Sequence, residues 1–455
     1  MRKLIGAIIS SFSICLVSGE IDHAIVSAYA VNTTTGEILL DENSHLSMTP
    51  ASCLKVITTA AAMHVLGEEF CYETSLEFDG DCKEGVLTGN IYIKGGGDPC
   101  LGSSRIQGSL DWKAQMQSFV DAIVAQGVVQ IEGTVVGDAS LWEKAGVIPS
   151  WSWEDMGNYY GAGASALSFH ENAYSLFLQP GIAIGDKVAI LRTEPPQKHL
   201  IFESELKTAE AGSGDQACIY GSEFSFCKWL RGTIPAGVPE FSIKGAIPDP
   251  ASYCAELLTE QLLERGIAVL GKKIPSQKRR VLYRVSSPNL AKIVYHTNQK
   301  SINLFAEHLL KKMGEVVTKE GSTEAGLLVV EQFCREIGMD MEGFHMVDGS
   351  GLSRKNLVTA KQFVQLLCSV KKSPIFPSFF QSLPEKEKGI RGKTGGMSLV
   401  RGYVGYSDDI AFAILINHCS SFEAMHKKIE SVLEKINEAN RVKNPLLNSC
   451  ETSTQ

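Results

Sequence analysis

Apolar positions are most regularly patterned at the two ends of the chain. Ala24 to Val31 is a nearly unbroken apolar run, Asn32-Thr33-Thr34-Thr35-Gly36 is a turn-forming cluster, and Glu37 to Leu40 resumes the run, which predicts two strands. Thr49-Pro50-Ala51-Ser52 then opens an Ala-rich helix that stops at Gly67. Val56, Ile57, Ala60, Ala61, Met63 and Val65 leave that helix little polar surface, so it should be central and buried. The far end mirrors this. Ser398 to Tyr406 reads as a strand, Ser407-Asp408-Asp409 as a turn, Ile410 to Ile416 as a buried strand, and Phe422 to Ala439 as a charged amphipathic helix. Strands and a helix from each end fit one antiparallel sheet covered by helices, with the middle of the chain as an insertion.

The middle follows another rhythm. Gly89 to Lys94, Ile131 to Val136 and Ser242 to Ala246 read as short strands among many turns. Pro180 to Pro239 is rich in Gly, Pro and charge and suggests a small separate domain, and Pro250 to Gly266 reads as a helix leading back to the first domain. Gly95-Gly96-Gly97-Asp98-Pro99 is a sharp turn; without a Gly-Lys-Ser/Thr ending it is not a phosphate loop.

At the N-terminus, Arg2 and Lys3 precede the apolar stretch Leu4 to Val17, followed by Ser18 and Gly19, the layout of an export signal. That stretch is shorter than the roughly 20 residues that cross a bilayer, and no other run is long and apolar enough. The expectation is an exported protein without a spanning helix. The 455 residues, 44% hydrophobic and 21% charged, allow two or three domains. The net charge of −8 argues against nucleic acid as a partner, and no His/Cys spacing suggests a metal. Of 12 cysteines, Cys71 with Cys82 and Cys218 with Cys227 are close enough in sequence to pair; buried free thiols are the alternative.

The chemistry lies in three short motifs in order: Ser52-Cys53-Leu54-Lys55, Ser301-Ile302-Asn303 and Lys393-Thr394-Gly395-Gly396. Each is weak alone, since Ser-x-x-Lys also occurs at Ser204, Ser225 and Ser369, and Ser-x-Asn at Ser287. Ser52 at a helix start meets amides that favour an oxyanion, and Lys55 lies one turn along the same face. A serine needs a base, and a lysine serves as one only if burial or a neighbouring cation lowers its pKa. Ser301 can relay a proton ahead of a helix expected from Leu304 to Met313, and the Asn303 amide can both donate and accept. Ser287-Pro288-Asn289 looks like a helix cap instead. Lys393 and Thr394 suit a terminal carboxylate on an edge-like strand. Gly395 admits a close backbone, and the Gly396 amide can donate to an oxyanion.

This set resembles the serine acyl-transferases that bind penicillin, and more narrowly the class C low-molecular-mass penicillin-binding proteins, of the penicillin-binding protein 4 type, which are D-alanyl-D-alanine carboxypeptidases and endopeptidases. The narrower likeness rests on Gly95-Gly96-Gly97-Asp98-Pro99, Ile131 to Asp138, Tyr160-Gly161-Ala162, Ser165-Ala166-Leu167-Ser168, Pro248-Asp249-Pro250 and Asp348 to Arg354. It implies an α+β penicillin-recognising serine acyl-transferase fold: an antiparallel sheet covered by helices, with a long insertion forming one or two smaller β-rich domains. The expected division is a signal peptide at 1–19, a catalytic domain at 20–72 and 267–445, and inserted domains at 73–179 with 241–266 and at 180–240. The resemblance further implies a periplasmic enzyme without cofactor, acting on peptidoglycan stem peptides and acylated by β-lactams. Ser52 is the nucleophile, Lys55 the base and Ser301 the proton relay. Asn303, Lys393, Thr394, Gly395 and Gly396 hold substrate, and Arg354 faces the diamino acid of the peptide. Gly396 departs from the pattern, which usually has Ser or Thr there. A β-lactamase and a low-turnover penicillin-sequestering protein use the same groups and are the alternatives.

Overall fold

The computed structural model describes residues 21–387 and 389–443. The predicted signal at 1–19 lies outside them. The chain divides into two compact units. One comprises residues up to 68, 294–301 and those from 327 onward; the other comprises 69–293 and 302–326.

The first unit holds the sheet expected from the two termini. Its strands are β1 (Ile25–Asn32), β2 (Ile38–Glu42), β3 (Glu385–Glu387), β4 (Ile390–Met397), β5 (Val400–Ser407) and β6 (Ile410–Asn417). They lie in the order β3-β4-β5-β6-β1-β2, every pair antiparallel. The first and last parts of the sequence meet where β1 pairs with β6 along its whole length, Ile25 opposite Asn417 and Asn32 opposite Ile410. β6 is buried at every position, which explains its unbroken apolar sequence.

Helices cover both faces. The C-terminal helix, Phe422–Lys443, packs Met425, Ile429, Val432 and Ile436 against Val26, Ala28, Tyr403, Ile414 and Ile416. The other face receives α1 (Lys55–Leu66) and α3 (Ala360–Lys371), with α2 (Leu290–Lys300) between them in sequence. Tyr406 Oη of β5 donates to the Leu367 carbonyl of α3 (2.8 Å). α1 is buried from Lys55 to Met63, as its composition predicts. Its polar side chains are satisfied: Thr58 Oγ1 donates to the Gly349 carbonyl and Thr59 Oγ1 to the Lys55 carbonyl, both at 2.6 Å. The expected single helix differs at its start. Residues Ala51–Leu54 form one 3-10 turn that runs into α1, with Ala51 in the left-handed region at φ 46°.

The second unit is rich in short strands. Glu73–Phe78 pairs with Ile91–Lys94 and Arg280–Ser286 in one four-stranded sheet, and Ala173–Gln179 pairs with Ala189–Glu194 and Phe241–Ala246 in a three-stranded one. Helices Trp112–Ala125 and Pro250–Glu264 bury Phe119, Ile123, Leu258 and Leu262 against strand residues such as Leu76, Ile91 and Leu176. The strand expected at Ile131 to Val136 is instead two. Gln130–Ile131 pairs with Val86–Thr88, whereas Val135–Asp138 pairs with Ile91–Lys94 in a different sheet. The chain crosses between them at 132–134, where Asn90 Oδ1 accepts from the Thr134 amide.

The ten cysteines among the described residues are free thiols, so neither candidate disulfide forms. Cys218 is paired with Arg231, four residues along the strand from Cys227, about 13 Å away and well beyond bridging distance. Cys71 precedes strand Glu73–Phe78 and Cys82 follows it.

Candidate active site

Ser52 lies in the 3-10 turn that leads into α1, and Lys55 is the first residue of α1 itself. Ser52 is half-buried and so reachable, whereas Lys55 is completely buried. Lys55 Nζ donates to Ser52 Oγ at 3.0 Å and to the Ser350 carbonyl at 2.7 Å. That carbonyl is an acceptor the motifs do not announce. It sits in a loop built around Asp348, whose Oδ1 accepts from the Gly351 amide and Asn356 Nδ2 (both 2.8 Å) and whose Oδ2 accepts from the Ser353 amide (2.7 Å). The string Asp348-Gly349-Ser350-Gly351 carried the signal, since Asp followed by Gly and Ser favours a loop closed by its own carboxylate.

None of the competing Ser-x-x-Lys pairs has this geometry. Ser225 Oγ donates to the Cys227 carbonyl while Lys228 Nζ donates to the Ser222 carbonyl, and Ser204 Oγ accepts from the Leu206 amide. Lys372 meets Ser369 through backbone alone. Ser287 is likewise structural: its Oγ accepts from the Tyr72 amide, and Asn289 Oδ1 accepts from the Lys292 amide at the start of α2.

β4 brings Lys393 to Gly396 against the Ser52 turn. Cys53 Sγ donates to the Lys393 carbonyl (3.4 Å). A side chain on Gly395 would meet the Pro50 carbonyl oxygen at 2.5 Å and the Cys53 amide at 2.8 Å, so only glycine lets the strand come this close. The expected edge character holds over part of the strand. β3 pairs only with Ile390 and Arg391, so Lys393 to Met397 has no neighbouring strand on that side among the described residues.

Lys393 is 2% exposed and its Nζ donates to the Thr394 carbonyl (2.6 Å). Burial pushes its ammonium down to about 8, and the Arg401 guanidinium adds to that push. It therefore keeps its charge mostly intact at neutral pH. Cys53, beside the nucleophile, is the opposite case: burial pushes its thiol up to about 12, so it stays protonated and unreactive.

The remaining expected residues are placed as follows. Ser301 follows α2 with a left-handed φ of 56°, and α2 is tied to α1 by Asn298 Nδ2, which donates to Thr59 Oγ1 (3.2 Å). Arg354 is exposed and Nη1 donates to the Ser398 carbonyl in the turn between β4 and β5 (3.0 Å). Asn303 belongs to the second unit, where it begins helix Asn303–Thr318, longer than the expected Leu304 to Met313. Its Nδ2 donates to the Tyr160 carbonyl (2.8 Å).

A family model for the D-Ala-D-Ala carboxypeptidase 3 (S13) family matches residues 11–438. The chain belongs to that family. It is a serine-type D-Ala-D-Ala carboxypeptidase. Among its relatives, the D-alanyl-D-alanine carboxypeptidase of Actinomadura sp. (strain R39) is 26% identical over 434 residues, 87% of this chain and 78% of the relative. D-alanyl-D-alanine carboxypeptidase DacB of Haemophilus influenzae is 24% identical over 424 residues, 87% of this chain and 86% of the relative. The crystal structure of penicillin binding protein 4 (dacB) from Haemophilus influenzae superposes with a TM-score of 0.76 at 22% identity, covering 92% of this chain and 99% of that one. The S13 carboxypeptidase thus has the penicillin-recognising serine hydrolase fold with additional inserted structure, as its motifs led one to expect. Among its described residues no helix is long and apolar enough to cross a membrane.

Proposed function

We propose that this S13 carboxypeptidase is exported to the periplasm, removes the terminal D-Ala of peptidoglycan stem peptides through an acyl-enzyme on Ser52, and also cuts stem-peptide cross-links. Ser52 Oγ attacks the penultimate D-Ala carbonyl carbon while Lys55 Nζ takes the hydroxyl proton. The oxyanion is received by the amides of Ser52 and Gly396. The C–N bond then breaks, and the proton taken by Lys55 passes through the Ser301 hydroxyl, with Lys393 nearby, to the leaving amine, which leaves Lys55 neutral. Water cleaves the resulting ester with Lys55 again as base. Asn303 holds the substrate backbone, the Lys393 ammonium and Thr394 hydroxyl hold the terminal carboxylate, and Arg354 faces the diamino acid side chain. β-Lactams imitate the D-Ala-D-Ala end and acylate the same oxygen.

One observation carries this reading: a fully buried lysine amine lies 3.0 Å from a reachable serine hydroxyl and also donates to a backbone carbonyl. Burial disfavours the charged form of a lysine in general, which is the condition under which an amine can accept a serine proton. The open side of β4 supports it too, since an extended peptide can lie along that edge.

The test is to incubate the protein with a pentapeptide ending in D-Ala-D-Ala and, separately, with a fluorescent penicillin. The reading expects released D-Ala and a stable penicillin adduct, both abolished by Ser52→Ala. Rapid penicillin hydrolysis would make it a β-lactamase, and labelling without D-Ala release a sequestering protein. Cleavage by Ser52→Ala at the parent rate would overturn the assigned nucleophile.

A further inference from the structure

Gly396 and Arg401 face each other across the β4–β5 ladder. Paired residues put their side chains on the same face, and here one of the two has no side chain. The long partner fills the space. A Cβ built on Gly396 would stand 2.8 Å from Arg401 Nη1, so a serine or threonine at 396 would have to push the guanidinium aside. The motif resemblance leads one to expect a hydroxyl residue at 396. In this chain the hydroxyl is missing and a guanidinium occupies its place.

Three further facts say what that guanidinium is free to do. It lies over the Phe422 ring, 4.7 Å from the centroid, and has no carboxylate partner among the described residues. It lies on the same face of the ladder as Thr394, two residues from Gly396 on the strand whose outer edge is open. Its charge reaches both Lys393 and Cys53, each of which feels it as a cation lowering its pKa.

Resting on the functional reading above, we propose that Arg401 is a substrate-binding residue: its guanidinium replaces the side-chain hydroxyl usual at position 396 and, with Lys393 and Thr394, receives the terminal carboxylate of the stem peptide. The exchange is chemically uneven. A hydroxyl donates one neutral hydrogen bond, whereas a guanidinium presents a planar fork matched to both carboxylate oxygens and brings a permanent charge. The small residue at 396 and the long cation at 401 therefore act as a pair, and neither does the work alone.

Kinetics of D-Ala release from two peptides, one ending in a free carboxylate and one in a carboxamide, test this. Arg401→Met keeps an apolar stem over Phe422 and removes the charge, and thermal unfolding of the variant checks that it folds. The expected result is a KM for the acid peptide raised roughly 10- to 100-fold with kcat little changed, and no comparable change for the amide. Gly396→Ser added to Arg401→Met should recover part of the loss, because the hydroxyl regains its space. Gly396→Ser in the parent should weaken acid binding by displacing the guanidinium. Equal changes for acid and amide, or an unchanged KM for the acid, overturn the assignment of Arg401. Failure of the parent enzyme to release D-Ala from the acid peptide overturns the functional reading, and this inference with it.

Discussion

Replacing Lys393 by methionine exposes the energetic cost of holding a cation inside the site. The ammonium is 2% exposed, and burial pushes it from 10.5 to about 8. In the unfolded chain the same group titrates near its ordinary value, about 10.4. Between the two values the unfolded chain binds more protons than the native one, so stability rises with pH across that window. Below about pH 8 both states are protonated and the full penalty is present. Two to three pKa units at about 1.4 kcal/mol each put it at about 3 kcal/mol. Methionine fills much the same space without charge, so its own stability lacks this dependence. The parent should therefore gain about 2 to 3 kcal/mol relative to Lys393→Met between pH 7 and 10. Other titrating groups are common to both proteins and cancel in the difference. Urea unfolding of both, run in parallel at the two pH values, measures it. A stability difference that stays constant within about 0.5 kcal/mol, or moves the other way, refutes the argument.

Three other changes probe the site. Gly395→Ala drives a methyl group into the Pro50 carbonyl and the Cys53 amide, so it should cost about 1 to 3 kcal/mol in thermal unfolding and slow D-Ala release at least severalfold. Asp348→Ala strips the acceptors that hold the loop bearing the Ser350 carbonyl; about 3 kcal/mol of lost stability and a fall mainly in kcat are expected, with Asp348→Asn intermediate. Iodoacetamide applied to the native protein should modify exposed Cys71 and Cys82 but not Cys53, as peptide mass mapping would show.

What could be read from the sequence was whatever repeats or carries a side chain. The terminal strands and α1 were legible because buried faces need unbroken or periodic apolar residues; the structure places the strands within a residue or two of expectation and ends α1 where Gly67 predicts, but starts it at Lys55 after a 3-10 turn. Ser52 and Lys55 were legible because a lysine on an otherwise apolar helix has few uses. The Ser350 carbonyl was not, since a backbone acceptor has no residue signature; only Asp348 and its neighbours hint at the loop. The break at 132–134 was hidden because Ile131 to Val136 is apolar enough for one strand, and only pairing with two different sheets divides it. Arg401 looked like any charged residue in a strand. Its meaning comes from standing opposite Gly396, a relation set by ladder register and not by spacing along the chain.

The pairing of β1 with β6 also fixes an order of events during biosynthesis. Ile25 finds Asn417 about 390 residues later, so the first strand emerges from the ribosome long before its partner exists. Most of the second unit, contiguous from 69 to 293, is complete by then and can begin to bury its own core. The exposed apolar strand meanwhile needs protection, because long-range β pairing is slow and unpaired edges aggregate. Nascent chains halted short of Asn417 should therefore be substrates for chaperones and proteases, however sound the half already made.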